Sequence, residues 1–162
     1  MQALIVSIWR IATLKAGPDI LPESSALLLA TLLLNVIVSV MLTTTLMAYS
    51  FIAALQLTLV VLAATAGILW MLLRLTGFGG RFEQTLTALL GCDLLITLVS
   101  AMALVAGTLI SQPIANVFLL VTFFWTIVAY GFIFHRALDI NLPMGILLAF
   151  IILLITISIG RV

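Results

Sequence analysis

From Ala26 to Leu73 the chain runs without one charged side chain, and Tyr49 and Ser50 are the clearest interruption of its apolar character. A helix needs about 20 apolar residues to cross the hydrocarbon layer of a bilayer, so this stretch is long enough to cross twice. The rest of the chain agrees. Of its 162 residues, 65% are hydrophobic and 7% are charged, whereas soluble domains carry about 25% charged residues. Too few side chains can face water, so lipid must solvate most of the surface. In lipid an unpaired peptide group costs several kcal/mol, which restricts spanning segments to helices or closed barrels. The short alternating strands of a small barrel are missing, so helices fill the spans.

The expected fold is all-α, a polytopic transmembrane helix bundle of about five spans with a short interfacial amphipathic helix in front of it. Residues 1–16 form that first helix, with Leu4, Ile5, Ile8, Trp9 and Ala12 on one broad face and Gln2, Ser7, Arg10 and Thr13 on the other. It is too short to span, and Trp9 suits the headgroup boundary. Arg10 and Lys15 follow the apolar residues instead of preceding them, so the segment does not read as a cleaved signal peptide. Gly17-Pro18 stops the helix, and Ser24 or Ser25 caps the next. Residues 1–22 are thus an N-terminal helix and linker, and 23–162 a single transmembrane domain. Its spans are placed at 26–48, 51–73, 86–109, 115–134 and 143–160. The first two make a tight hairpin. Arg74 to Gln84 is the longest internal polar loop, Ser111 to Asn116 a turn, and His135 to Asn141 a polar connection. Pro143 suits the first turn of the fifth span.

Charge placement supplies an orientation. Arg10 and Lys15, then Arg74 and Arg81, then Arg136 fall in alternate connections, while the intervening turns carry no charge and only Arg161 lies on the other side. The positive-inside rule gives a cytoplasmic N-terminus and a C-terminus outside. In a bacterial inner membrane, the expected location, that is the periplasm.

Each span carries small or polar residues at helical spacing: Thr31, Asn35, Ser39 and Thr43; Gln56, with Ala63 and Gly67; Asp93, Thr97 and Ser100; Thr122, Thr126 and Tyr130; Gly145 and Ala149. Lipid tails do not push helices together, so close backbone approach and interhelical hydrogen bonds must do so. The plain reading makes these stripes packing seams, and the sharper one a polar pathway. Asp93 is the one ionisable group inside a span, roughly 10 Å from its start by helical rise. A carboxyl group there should face the bundle interior or water. It is either neutral or paired with Arg74, Arg81 or Arg136 on the same side. The candidate intramembrane residues are Asp93, Thr97, Ser100, Asn35 and Gln56. Arg74, Arg81, His135, Arg136 and Asp139 make a cytoplasmic charge cluster that reads as an interfacial anchor.

Several classes of function are disfavoured. A net charge of +1 without a basic patch gives no case for nucleic acid. One cysteine, Cys92, permits neither an internal disulfide nor a thiolate zinc site. Gly77, Gly79 and Gly80 lack the Lys-Ser/Thr ending and the preceding strand of a phosphate loop. No nucleophile, base and orienting acid converge, so neither an enzyme nor a cofactor is expected.

Gly79-Gly80-Arg81-Phe82 with Leu86, Leu90 and Gly91 begins the third span. Trp125 sits in an aromatic fourth span, followed by His135-Arg136-Ala137-Leu138 and then Gly145 to Ala149. With the five-span layout, this pattern over about residues 26–160 resembles the bacterial branch of the Yip family of five-span membrane proteins. That family is named for eukaryotic relatives that interact with Rab GTPases. The Asp-Leu-Tyr-Gly-Pro type motif and the long cytoplasmic N-terminal region of those relatives are missing, so Rab-linked trafficking is not carried over. The resemblance implies architecture. The expected function is that of a non-enzymatic membrane protein acting through helix–helix contact, as an accessory or scaffold subunit or a homo-oligomer. Its partners are then the lipid bilayer and a membrane protein or second copy. The alternative is a small carrier or channel using the polar face around Asp93.

Overall fold

The computed structural model describes residues 2–46 and 48–159, and every regular element among them is helical. Met47 and Gly160, which the sequence reading places in spans, and Arg161, which it places outside, lie beyond the described residues. So does the side chain of Gln2. The helices are α1 (Gln2–Ala12), α2 (Ser25–Leu46), α3 (Phe51–Leu75), α4 (Phe82–Ile110), α5 (Gln112–Leu138) and α6 (Leu142–Ile159). Single 3-10 turns at Pro18–Ile20 and Gly79–Arg81 lead into α2 and α4. Helices α2 to α5 are long and apolar enough to cross a membrane. The 18-residue α6 is a fifth apolar helix, about 27 Å long by helical rise.

Local chemistry sets the boundaries. Ser24 Oγ accepts from the Leu27 N–H (3.4 Å) and Ser50 Oγ from the Ala53 N–H (3.3 Å), each satisfying an orphan donor of a first turn. Asn141 Oδ1 does the same for the Met144 N–H (3.0 Å) at the start of α6, where Pro143 sits in the first turn as its fixed φ allows. Helix α3 is followed by a turn at Thr76-Gly77, where the φ of +82° at Gly77 suits a residue without Cβ. Asp139 takes the left-handed conformation that closes α5.

The connections differ from expectation in instructive ways. The break between α2 and α3 is longer than Tyr49-Ser50, because Ala48 already has φ +56°. Of the expected Ser111–Asn116 turn, only Ser111 separates α4 from α5, since Gln112-Pro113 makes the first helical turn. Helix α5 also continues through His135 and Arg136, so that connection shrinks to Asp139–Asn141. Polar composition suggested loops where the ends of long helices emerge.

The centre of the bundle is α4 beside α5. An unbroken run of α4, Thr85 to Cys92, is buried. A run longer than a helical turn can be buried only if protein surrounds it, and α1 supplies the missing side. The short N-terminal helix is present, but it ends at Ala12, and Ile8, Ile11 and Ala12 are buried. Gly91 lets Ile8 approach, since a Cβ there would meet Ile8 Cδ1 at 2.8 Å. Trp125 donates from its indole N–H to the Ala12 carbonyl (2.8 Å) and meets Trp9 edge-on, ring centres 6.4 Å apart. Gly91 and Trp125 lie roughly 13 and 19 Å along α4 and α5 from Phe82 and Leu138. Thus α1 is tucked along the bundle, with Ile5 and Val6 facing outward.

The tightest crossing is α5 against α6. A Cβ on Gly131 would fall 2.7 Å from the Ile146 Cα, and one on Gly145 would strike the Gly131 carbonyl. Ala149, its expected companion, is fully buried. The other expected small pair behaves differently. Ala63 and Gly67 are exposed, and a Cβ on Gly67 would meet nothing within 4 Å. Helix α3 is the most exposed of the long helices, and α5 the most buried.

Candidate intramembrane site

Asn35, Asp93 and Tyr130 come from α2, α4 and α5. They lie roughly 15, 16 and 12 Å along their helices from Ser25, Phe82 and Leu138. Those three helix ends belong to one end of the bundle, because Ser25 Oγ donates to Glu83 (2.8 Å) and Arg81 donates to the Ala137 carbonyl (3.3 Å). The three polar side chains therefore meet at one level. Tyr130 O–H donates to Asp93 Oδ1 (2.8 Å), and Asn35 Nδ2 donates to Asp93 Oδ2 (2.9 Å) and to the Leu90 carbonyl (3.4 Å). Two acceptors flanking one nitrogen define the orientation of the Asn35 amide, since its oxygen could not replace it there. Among the described residues no buried side-chain nitrogen or oxygen lacks a partner.

The helical register explains how α4 reaches both sides. Gly91 and Cys92 face α1, where the Cys92 thiol lies 3.9 Å from the Ile8 carbonyl. Asp93 sits about 100° further round and turns toward α2 and α5. Its carboxylate is not paired with Arg74, Arg81 or Arg136. Arg81 contacts Ala137 and the Phe78 ring, Arg74 stacks over Trp70 and Arg136 over Phe132. Of the two states expected for Asp93, pairing with one of these arginines is therefore overturned. They stay at the end of the bundle, whereas Asp93 lies deeper because α4 starts at Phe82, four residues before the expected span.

Beside the triad lies a cavity of about 220 Å³ bounded by α2, α3, α4, α5 and α6. Asn35, Ser39, Thr43, Asp93 and Tyr130 form one part of its wall, and Thr58, Thr65 and Thr156 add hydroxyls from α3 and α6. Leu57, Val61, Leu62, Ile152 and Leu153 make the apolar part. Asp93 is half-buried and lines the void. Among the described residues no basic side chain lines this cavity, and Asp93 is its one acidic residue. A second cavity of about 230 Å³ shares Ser39 and Thr43 with the first and includes Thr97 and Ser100. The stripes Asn35-Ser39-Thr43 and Asp93-Thr97-Ser100 thus face each other across two adjoining voids.

Of the candidate residues, Asn35 and Asp93 are in direct contact, Thr97 and Ser100 line the neighbouring void, and Gln56 does not join them. It lies on the exposed side of α3. In the sequence Tyr130 stands out only as one of a polar stripe, and Thr58, Thr65 and Thr156 carry no distinguishing signal. A tyrosine in an apolar helix was the available signal, because a buried phenol needs a hydrogen-bond partner.

The charge cluster at the other level divides in two. Arg81, Arg136 and Asp139 line a cleft of about 340 Å³ with Asp19 and Gln84. Arg74 lines another of about 680 Å³ with Glu23, Glu83 and the Gly77–Gly80 turn. His135 has its Nδ1 against the Ile140 carbonyl. Among the described residues, no three His, Cys, Asp or Glu side chains converge as metal ligands do.

The long apolar helices, their lipid-facing leucines and isoleucines, and polar groups gathered inside define an integral membrane protein built as a helical bundle of about five spans. No family model, curated protein or solved structure matches this chain.

Proposed function

We propose that this non-enzymatic membrane protein receives a small polar solute in the cavity beside Asp93 and works as a carrier or channel. The observation that carries this reading is the pair of adjoining voids with a carboxylate and several hydroxyls in their walls. Polar groups inside a bundle are expensive in lipid and mark solute pathways when they surround open space. Purified protein in liposomes tests it. Small polar solutes should equilibrate faster than in protein-free vesicles, and Asp93→Asn should slow them. Equal rates in all three preparations would reject it.

A second reading, an accessory or scaffold subunit or homo-oligomer, is favoured by the outward face of α3. Gln56, Ala63 and Gly67 are all exposed there, and small residues permit close helix contact in lipid. Specific co-purification of a membrane partner or second copy without flux supports it over the carrier. Kinship with the bacterial Yip-like proteins belongs to the same proposal and rests on the residues quoted for it.

We propose a bacterial inner membrane as its location, with the N-terminus in the cytoplasm; the orientation rests on Arg74, Arg81 and Arg136 at one end of the bundle. With Cys92→Ala as background, cysteines at Gly79 and Asn141 should react only with cytoplasmic reagent, and one at Gln112 only from outside. The reverse pattern would invert the orientation.

A further inference from the structure

The lining chemistry of the Asp93 cavity is lopsided. Among the described residues it is lined by one carboxylate and no cationic side chain, and leucine, isoleucine and valine of α3 and α6 give it an apolar wall. Each carboxylate oxygen has two acceptor directions, and Tyr130 and Asn35 take one apiece, so two remain for a ligand. Charge is the first discriminator. An anion would meet a carboxylate with no positive group beside it. A divalent ion would keep an unbalanced charge at a depth where charge is costly. A single positive charge matches Asp93.

Size and surface are the second discriminator. A dehydrated alkali ion needs several oxygens converging on one point. Thr58 and Thr65 stand seven residues apart on α3, roughly 10 Å by helical rise, so their hydroxyls do not converge on one ion, and a bare ion would leave the apolar wall without contacts. At about 220 Å³ the space exceeds the roughly 150 Å³ that holds a benzene and falls short of the roughly 300–1,000 Å³ of drug-sized sites. An ammonium head with a short hydrocarbon body fits both walls. We propose that the cavity binds a small organic monocation of the alkylammonium class, its charge on Asp93 and its body against Leu57, Leu62 and Ile152. This rests on reading the cavity as a solute site and adds the class of solute.

The test is calorimetric titration of the purified protein in detergent with n-butylammonium chloride, in amine-free phosphate buffer. n-Butanol serves as the neutral isostere, and sodium chloride as the alkali control. Saturable binding of one butylammonium per chain is expected, with neither control displacing it. Asp93→Asn should weaken it roughly 30-fold or more, as truncating one partner of a buried charge pair does. Absence of saturable binding, equal affinity in Asp93→Asn, or displacement by equimolar sodium would overturn the proposal. Should Asp93→Asn not fold, Thr58→Leu fills the void from α3 without touching the triad. Folded Thr58→Leu that still binds with wild-type affinity also overturns it. Binding without uptake into vesicles supports this inference and rejects only the carrier, whereas flux of neutral solutes without butylammonium binding does the reverse.

Discussion

Gly131→Leu is expected to leave no stably folded protein, and Gly131→Ala to destabilise the bundle by about 3 kcal/mol, the upper end of overpacking costs. The reason is the kind of atom in the way. A Cβ at Gly131 meets the backbone of Ile146, 2.7 Å from Cα and 2.9 Å from N, and backbone cannot rotate aside as a side chain can. Helix α6 must move as a unit, and Gly145, pressed against the Gly131 carbonyl, moves with it. Because Ile152, Leu153 and Thr156 of α6 wall the Asp93 cavity, Gly131→Ala should also weaken solute binding there. Gly67→Ala is the control. Nothing lies within 4 Å of its Cβ, and alanine gains about 1 kcal/mol of helix propensity over glycine, so stability should hold or rise. Reversible unfolding in mixed detergent reads both variants, and equal midpoints for the two alanine substitutions would dismiss the close α5–α6 crossing.

The Asp93 level separates two substitutions that sequence alone would rank together. Asp93→Asn should stay within about 1 kcal/mol of wild type, the worth of one ordinary hydrogen bond. The substituted amide oxygen still accepts from Asn35, and its N–H₂ can donate to the Tyr130 hydroxyl, which exchanges its donor role for an acceptor one. Asp93→Leu should cost about 2–6 kcal/mol, because the Tyr130 hydroxyl loses its one interhelical partner and Asn35 retains only the Leu90 carbonyl, at about 1–3 kcal/mol for each group left short. In the Tyr130→Phe background the penalty of Asp93→Leu should fall by about 0.6 kcal/mol, the mean coupling measured between transmembrane helices. The same unfolding assay measures all of these. A loss of about 3–5 kcal/mol in Asp93→Asn would instead reveal an unmatched cation, and a neutral Asp93→Leu would remove the triad as a tie between α2, α4 and α5.

Much of this was written locally. Ser24 before an apolar run, Pro143 in a first turn and charge-free stretches of span length located the helices to within a few residues, because capping and hydropathy depend on near neighbours. The depth of α4 and α5 was underestimated at their polar ends. Arg81, Gln84 and His135 look like loop residues, yet Phe82–Gln84 and His135 continue helices whose ends pass beyond the apolar layer.

The amino-acid order alone settles the class of solvent, the helical content, the approximate number of spans and the presence of one carboxylate among them. All of these follow from composition and from the cost of bare peptide groups in lipid. Which way each helix is turned follows from packing in three dimensions. In water the polar side of a helix marks its outside, but here lipid and protein interior are both apolar, so periodicity does not distinguish a seam from a lipid-facing stripe. That is why Gly145-Ala149 proved to be a crossing and Ala63-Gly67 an outer face. It is also why α1 could lie along α4 and α5 with Ile8 inward and Ile5 outward. Asp93 found Tyr130 and Asn35 in place of an arginine because helix start and rotation, which only packing sets, brought three distant positions to one level.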